Sequence, residues 1–322
     1  MQPLLRPLKV GSLQLANNLA LAPMAGITGA PLRVLAAEGG AGLVVTEMIS
    51  TESIRYANRK TFRMLELMPG EHPVAVQLFG ADPASAAFAA MEAEKAGADV
   101  IDLNAGCPVR KVMRSGAGSA LMKTPQLLAR MLTAMGKAVK VPVTVKFRVG
   151  LAAGENLGPM LARVAEEAGA AAITLHGRPA SQHHSGPVDL DAMAAAAAAV
   201  KIPVFGNGGV DGPEAAKVML STGCAGVSVG RAAVYDPCVF REIAAGLSGR
   251  PQGATDHAAR VRLFMRFLEL SAGLYGEEHG LARARKLVGY WLKGLPNSAA
   301  ARASFMTLKT LKEARELLIQ YY

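Results

Sequence analysis

The sequence predicts an α/β fold: a (β/α)8 TIM barrel followed by a small all-helical C-terminal domain. Three observations carry this reading. A helix tail ending in Ala or Gly and followed by a short apolar run recurs at residues 38–47, 96–104, 168–176 and 222–230, the mark of repeated βα units. Filling the intervals gives eight candidate strands spaced by helix-length segments, over the ~240 residues typical of a closed barrel. Beyond Gly249-Arg250-Pro251-Gln252-Gly253 the strand signal stops and helical stretches begin near Asp256, Glu277 and Asn297.

The strands are expected to end near Met24, Glu47, Phe79, Asn104, Arg148, His176, Asn207 and Gly230. The first closes on Ala22-Pro23-Met24-Ala25-Gly26. A doubly wound dinucleotide fold would carry its glycine fingerprint there, so the open sheet is the weaker alternative. The remaining apolar runs are nearly continuous, as strands buried on both faces require. Their C-terminal ends, where barrel active sites lie, are polar: Gln77, Asn104, Cys107, Lys146, Arg148, His176, Asn207 and Arg231.

Composition narrows the function. The 322 residues are 51% hydrophobic with mean hydropathy +0.24, enough for a large core. No apolar run approaches the ~20 residues of a membrane span. The first residues lack the apolar core of a signal peptide, so a cytoplasmic protein is expected. Cys107, Cys224 and Cys238 have no metal-ligand spacing, and the pair His183 and His184 lacks a third ligand, so no metal site is expected. The formal charge is +10, and residues 257–322 hold 11 Lys or Arg against 5 Asp or Glu, a net +6 in the last fifth of the chain. That asymmetry suggests a polyanionic partner docking on the tail, and the Gly/Pro-containing segment where the strand signal stops sets the division into residues 1–249 and 250–322.

The chemistry concentrates at the strand ends. Gly206-Asn207-Gly208-Gly209 and Gly230-Arg231 follow strands seven and eight, where barrels commonly hold phosphate on backbone N–H groups. Taken singly, either motif is equally well a tight turn; together they point to a phosphate-bearing cofactor. Lys146 faces into the mouth, a costly position unless an anion or an internal carboxylate pairs with it. A reduced flavin would be such an anion, with Gln77 and Asn104 at its polar edge. Cys107, in a loop fixed by Gly106 and Pro108, is placed to donate a proton; Cys224 and Cys238 read as small buried hydrophobes. His176 reads as either a cofactor neighbour or a satisfied structural imidazole.

The motifs Ala22-Pro23-Met24-Ala25-Gly26-Ile27-Thr28, Val76-Gln77-Leu78-Phe79-Gly80 and Asp102-Leu103-Asn104-Ala105-Gly106-Cys107-Pro108 together resemble the tRNA-dihydrouridine synthases, and the likeness covers nearly the whole chain. It continues through Val145-Lys146-Phe147-Arg148, Leu175-His176-Gly177-Arg178, Gly206-Asn207-Gly208-Gly209 and Gly230-Arg231-Ala232. The resemblance implies FMN over the barrel mouth, NADPH as reductant, and reduction of the uracil C5=C6 bond in RNA, foremost tRNA; a monomer is expected. Hydride would reach C6 from the flavin and a proton would reach C5 from Cys107. It implies Pro23, Met24, Ala25, Gln77, Lys146 and His176 around the flavin, and Asn207, Gly208, Gly209, Gly230 and Arg231 at its phosphate. Asn104, Arg148 and Arg178 would face the substrate, with Arg285, Lys286 and Lys293 on RNA phosphates. Arg55, Arg59, Lys60, Arg63, Arg110, Lys111 and Arg114 would extend the basic track.

The chain departs from the family pattern at Gly29, Pro179, His184, Leu190, Gly209 and Leu287. None is Cys107 and none removes a proposed flavin contact, so the departures bear on which RNA position is read. The competing readings are a small-molecule flavin barrel of dihydroorotate or dihydropyrimidine type, a related enzyme acting on another RNA, and a non-catalytic RNA-binding flavoprotein.

Overall fold

The computed structural model describes residues 3–250, 253 and 255–321. Pro251 and Gln252 of the expected boundary lie outside them. The strands are β1 (Leu8–Val10), β2 (Leu13–Leu15), β3 (Leu19–Leu21), β4 (Val44–Val45), β5 (Ile49–Ser50), β6 (Val74–Phe79), β7 (Val100–Asn104), β8 (Val143–Arg148), β9 (Ala172–His176), β10 (Val204–Asn207) and β11 (Gly226–Val229). Eight of them run parallel in the order β3-β11-β10-β9-β8-β7-β6-β4. A parallel bridge from Ala20 to Leu43 joins the two ends, so the sheet closes into the expected barrel.

Local chemistry explains the repeat. Gly40, Gly97, Gly169 and Gly223 follow helices with φ of +100°, +99°, +90° and +89°, so each recurring Ala/Gly tail is a helix stop in the left-handed region. Proline opens the helices Pro83–Lys95, Pro125–Ala138 and Pro213–Ser221, where its missing N–H costs nothing. Six of the eight strand ends fall within a residue of the expected position. β3 and β4 stop earlier, β3 because Pro23 cannot continue the ladder and the chain turns, with Thr28 N–H donating to Met24 O at 3.0 Å.

Two features differ from expectation. The antiparallel hairpin β1–β2 packs Val10 and Leu15 against Ala75, Val100, Ala172 and Phe205 and plugs the N-terminal end of the barrel. The tail also has more breaks than three long stretches: His257–Tyr275, Glu277–Ala284, Val288–Trp291, Ser298–Phe305 and Leu311–Leu318. Gly276, at φ +82°, turns the chain, and a Thr310–Glu313 capping box starts the last helix afresh. Phe264, Trp291 and Phe305 centre a second core, which Leu32, Leu35 and Val234 of the first and last βα units complete. No helix among the described residues is long and apolar enough to cross a membrane.

Candidate active site

Strand register sets the first layer of the site. Asp102 lies opposite Gln77 on one side and Thr144 on the other, while Asn104 pairs with Lys146. Alternation then turns Asp102 and Asn104 to one face, the lumen. There Gln77 Nε2 donates to Asp102 Oδ2 at 2.7 Å, Thr144 Oγ1 to Asp102 Oδ1 at 2.7 Å, and Asn104 Nδ2 to Gln77 Oε1 at 2.9 Å. Lys146 Nζ donates to Asn207 Oδ1 at 2.9 Å, and Asn207 Nδ2 to Ser228 O at 2.8 Å.

The electrostatics are one-sided. Burial, then the Arg148 charge, pushes Lys146 down to about 7 against the pull of Asp102. Burial raises Asp102 in spite of its hydrogen bonds from Gln77 and Thr144 and the Lys146 charge. His176 is held far below its usual range, first by burial and then by Lys146, Arg148, His184 and Arg178, so its imidazole is neutral. Burial lowers Arg148 to about 10, and burial with the Arg231 charge lowers Arg178. One buried carboxylate thus faces a cluster of cations, an arrangement that an anion would relieve.

Glycines shape the loop after β10. Gly208 has φ +114°, and a Cβ on it would stand 2.9 Å from His176 Cδ2 and 3.2 Å from Arg178 Nη1. Gly209 is also left-handed, at φ +73°. Glycine is therefore required here, and its absent side chain lets His176 and Arg178 press against the backbone of this loop. Gly230 is not left-handed, at φ −100° and ψ −108°. Arg231, next to it, donates to His184 O at 3.3 Å. Pro23 and Met24 sit where the chain leaves β3, with Met24 held by its N–H to Thr28 Oγ1 at 3.0 Å; Ala25 follows, exposed.

Cys107 is partly exposed beyond the end of β7. Its N–H donates to Asn104 Oδ1 at 3.0 Å, its carbonyl accepts from Ser119 N–H at 3.0 Å, and Gly106 N–H also donates to Asn104 Oδ1 at 3.2 Å. A Cβ on Gly106 would lie 3.2 Å from the Phe147 backbone, so glycine lets this loop press onto β8. Cys224 is buried as expected, while Cys238 is only half-buried at the start of a helix.

Several residues expected to touch ligands are engaged within the protein. Arg148, 3% exposed, donates to the carbonyls of Gly106 (2.9 Å), Arg178 (3.2 Å), Pro179 (3.3 Å) and His183 (2.9 Å). It clamps the Cys107 loop to the loop after β9. Arg178 donates to Gly186 O at 2.8 Å and stands beside Gly208, with the phosphate-type residues and away from an open surface. Arg285 is half-buried and turned toward Leu308 O at 3.4 Å. Lys286 Nζ reaches back to Gly26 O at 2.9 Å, and Lys293 lies 5.7 Å from the Tyr235 ring. Among the described residues no group of three or more His, Cys, Asp or Glu is placed to hold a metal ion.

Sequence reasoning passed over Asp102, Thr144, Ser228 and Glu47. For Asp102 the signal was present: an acid at a lumen position of an apolar strand is as costly as Lys146 and calls for the same question. Glu47 accepts from Gly26 N–H at 2.6 Å and faces Arg283 at 3.9 Å, joining a barrel loop to the tail. A cleft of about 810 Å³ opens there, lined among others by Gly29, Lys60, Arg63, His279, Arg283 and Lys286.

Comparison with known proteins is consistent along the chain. The barrel is similar to the old yellow enzyme of Trypanosoma cruzi (TM-score 0.57, 14% identity, 79% of this chain and 94% of that one) and to morphinone reductase (TM-score 0.56, 14% identity, 79% and 91%). A tRNA-dihydrouridine synthase B of Xanthomonas axonopodis pv. citri is 39% identical over 298 residues, 92% of this chain and 90% of the relative. One of Pseudomonas aeruginosa is 40% identical over 314 residues, 94% and 91%. A probable tRNA-dihydrouridine synthase of Rickettsia conorii is 37% identical over 318 residues, 98% and 96%. The dihydrouridine synthase (Dus) family model matches residues 20–321, barrel and tail alike, and the chain belongs to that family.

Proposed function

We propose that the protein reduces uridine to 5,6-dihydrouridine in tRNA, with FMN as cofactor and NADPH as reductant. The observation that carries this reading is the pairing, on one barrel mouth, of an under-neutralised cation cluster around Lys146 with the partly exposed thiol of Cys107. The residues fit the flavin. Gln77 and Lys146 would hold its ring, with Pro23, Met24, Ala25 and His176 around it. Asn207, Gly208, Gly209, Gly230, Arg231 and, on its position here, Arg178 would hold its phosphate. When bound, FMN recharged by NADPH supplies the two electrons and the hydrogen that C6 of the uracil receives.

The protein's own part is the other half of the addition. As the C5=C6 π bond breaks, Cys107 Sγ–H gives its proton to C5, and the thiolate recovers a proton from solvent. Asn104 orients the loop that carries the thiol. Arg148 spans the loops of β7 and β9, which makes it a positioning residue first, with any uracil contact made from within that clamp.

Residues 1–249 form the catalytic unit and residues 250–322 the RNA-docking unit in this reading. The 810 Å³ cleft between barrel loops and tail gathers Lys60, Arg63, Arg283 and Lys286, a set suited to backbone phosphates in salt-sensitive, largely sequence-independent contacts. A monomer in the cytoplasm completes the proposal. The test is nucleoside mass spectrometry, mapped by position, on tRNA from cells with and without the gene. Loss of dihydrouridine at defined positions is expected; unchanged tRNA would turn attention to other RNAs or a small pyrimidine. Cys107→Ala should abolish turnover and leave RNA affinity unchanged.

A further inference from the structure

The buried acid in the lumen has no part in the chemistry described above, yet it stands at the head of a directional hydrogen-bond chain. The direction can be read from the far end. Gly106 and Cys107 backbone N–H groups can only donate, so Asn104 must present Oδ1 to them, at 3.2 and 3.0 Å. Asn104 Nδ2 is then committed to Gln77 Oε1 at 2.9 Å, and Gln77 Nε2 to Asp102 Oδ2 at 2.7 Å. Each amide can satisfy this pattern in one orientation only, and the chain needs an acceptor for Gln77 Nε2 at its end. Asp102, 4% exposed and also accepting from Thr144 Oγ1 at 2.7 Å, is that group.

From this network we infer that Asp102 is a positioning residue for Cys107, acting through the side-chain amides of Gln77 and Asn104. The inference rests on the reading of Cys107 as proton donor. The relay has a specific consequence because the Cys107 loop has other anchors. Cys107 O is held by Ser119 N–H at 3.0 Å and Gly106 O by Arg148 Nε at 2.9 Å. Loss of Asp102 therefore leaves the loop attached but strands Gln77 Nε2 as an unpaired buried donor; as Gln77 moves toward another acceptor, Asn104 loses the contact that fixes its Oδ1 on the two backbone N–H groups, and the thiol is re-aimed.

The test follows thiol alkylation by iodoacetamide in the FMN-loaded enzyme, residue by residue by mass spectrometry. Cys238, half-buried at the start of a helix beyond β11, serves as internal reference. Asp102→Ala should change the Cys107 rate by about fivefold or more with the Cys238 rate unmoved, and lower kcat by roughly tenfold at nearly constant KM for RNA. Asp102→Asn can still accept from Gln77 while Thr144 turns its hydroxyl to accept, so it should restore the Cys107 rate to within about twofold of wild type. An unchanged Cys107 rate in folded Asp102→Ala overturns the inference. Should that variant not fold, the larger apolar Asp102→Leu removes the same acceptor without opening a cavity: an altered Cys107 rate supports the relay and an unaltered one overturns it. Full turnover by Cys107→Ala would instead refute the proton-donor reading, whatever the alkylation rates show.

Discussion

Lys146 carries a prediction with a definite sign. Its folded pKa of about 7 lies below the ordinary 10.5, so between those values the unfolded chain binds more protons than the folded one. Stability of the FMN-free protein should therefore rise with pH across that window. Lys146→Met should be the more stable protein near pH 7 and should lack that rise, as denaturant melts of both proteins across the window will measure. An anion bound beside Lys146 favours its charged form, so flavin affinity should fall as pH climbs through the same range. Gly208 offers a second residue-scale test. Gly208→Ala forces a Cβ to 2.9 Å from His176 Cδ2 at φ +114°, and should cost ~1 kcal/mol or more in stability. Flavin fluorescence titration should show weakened FMN binding as well. These lone residues were the most legible part of the site, because a charge or a glycine at a strand end has few cheap explanations. Partnerships were not legible: nothing local to Arg148 announces that its guanidinium is spent on four carbonyls from two loops.

At the level of elements, the buried pair Arg33–Glu71 ties the first barrel helix, Ala30–Glu38, to the turn before β6. Arg33 Nη1 also holds Thr28 O at 2.7 Å, which fixes the Pro23–Thr28 turn. Removing one partner strands a buried charge, so Glu71→Ala should destabilise by roughly 3–5 kcal/mol, read from urea melts. Strand positions were readable from apolar runs and recurrent glycine stops, since both reflect backbone requirements that any sequence must meet. Hairpin β1–β2 and the breaks in the tail were not, because three-residue strands and four-residue helices are too short to show a period; packing against the barrel and the second core holds them in place.

For the whole molecule, the tail is bound to the barrel by apolar packing and by polar threads from Lys286 to Gly26 and from Arg283 to Glu47. The cleft beside those threads is lined by cations of both parts. Lys60→Gln with Arg63→Gln should weaken RNA binding without selectivity for sequence and flatten the log–log salt dependence by roughly 0.7–0.9 for each phosphate no longer neutralised. Filter binding across a salt series reads both effects. The net +6 of residues 257–322 was visible at once, but its distribution was not. Arg285 turns inward, while Lys60 and Arg63, from an early barrel loop, come to share the cleft with Arg283.

The hairpin at the foot of the barrel has a kinetic corollary. Val10 and Leu15 fill the lower end of the lumen, which leaves the upper rim, where the polar strand ends gather, as the approach to the site. On the proposed function, the nicotinamide donor and the RNA would then share that doorway in turn. Steady-state velocities measured against both should give parallel double-reciprocal lines, and excess RNA should slow the donor half-reaction by occupying the entrance.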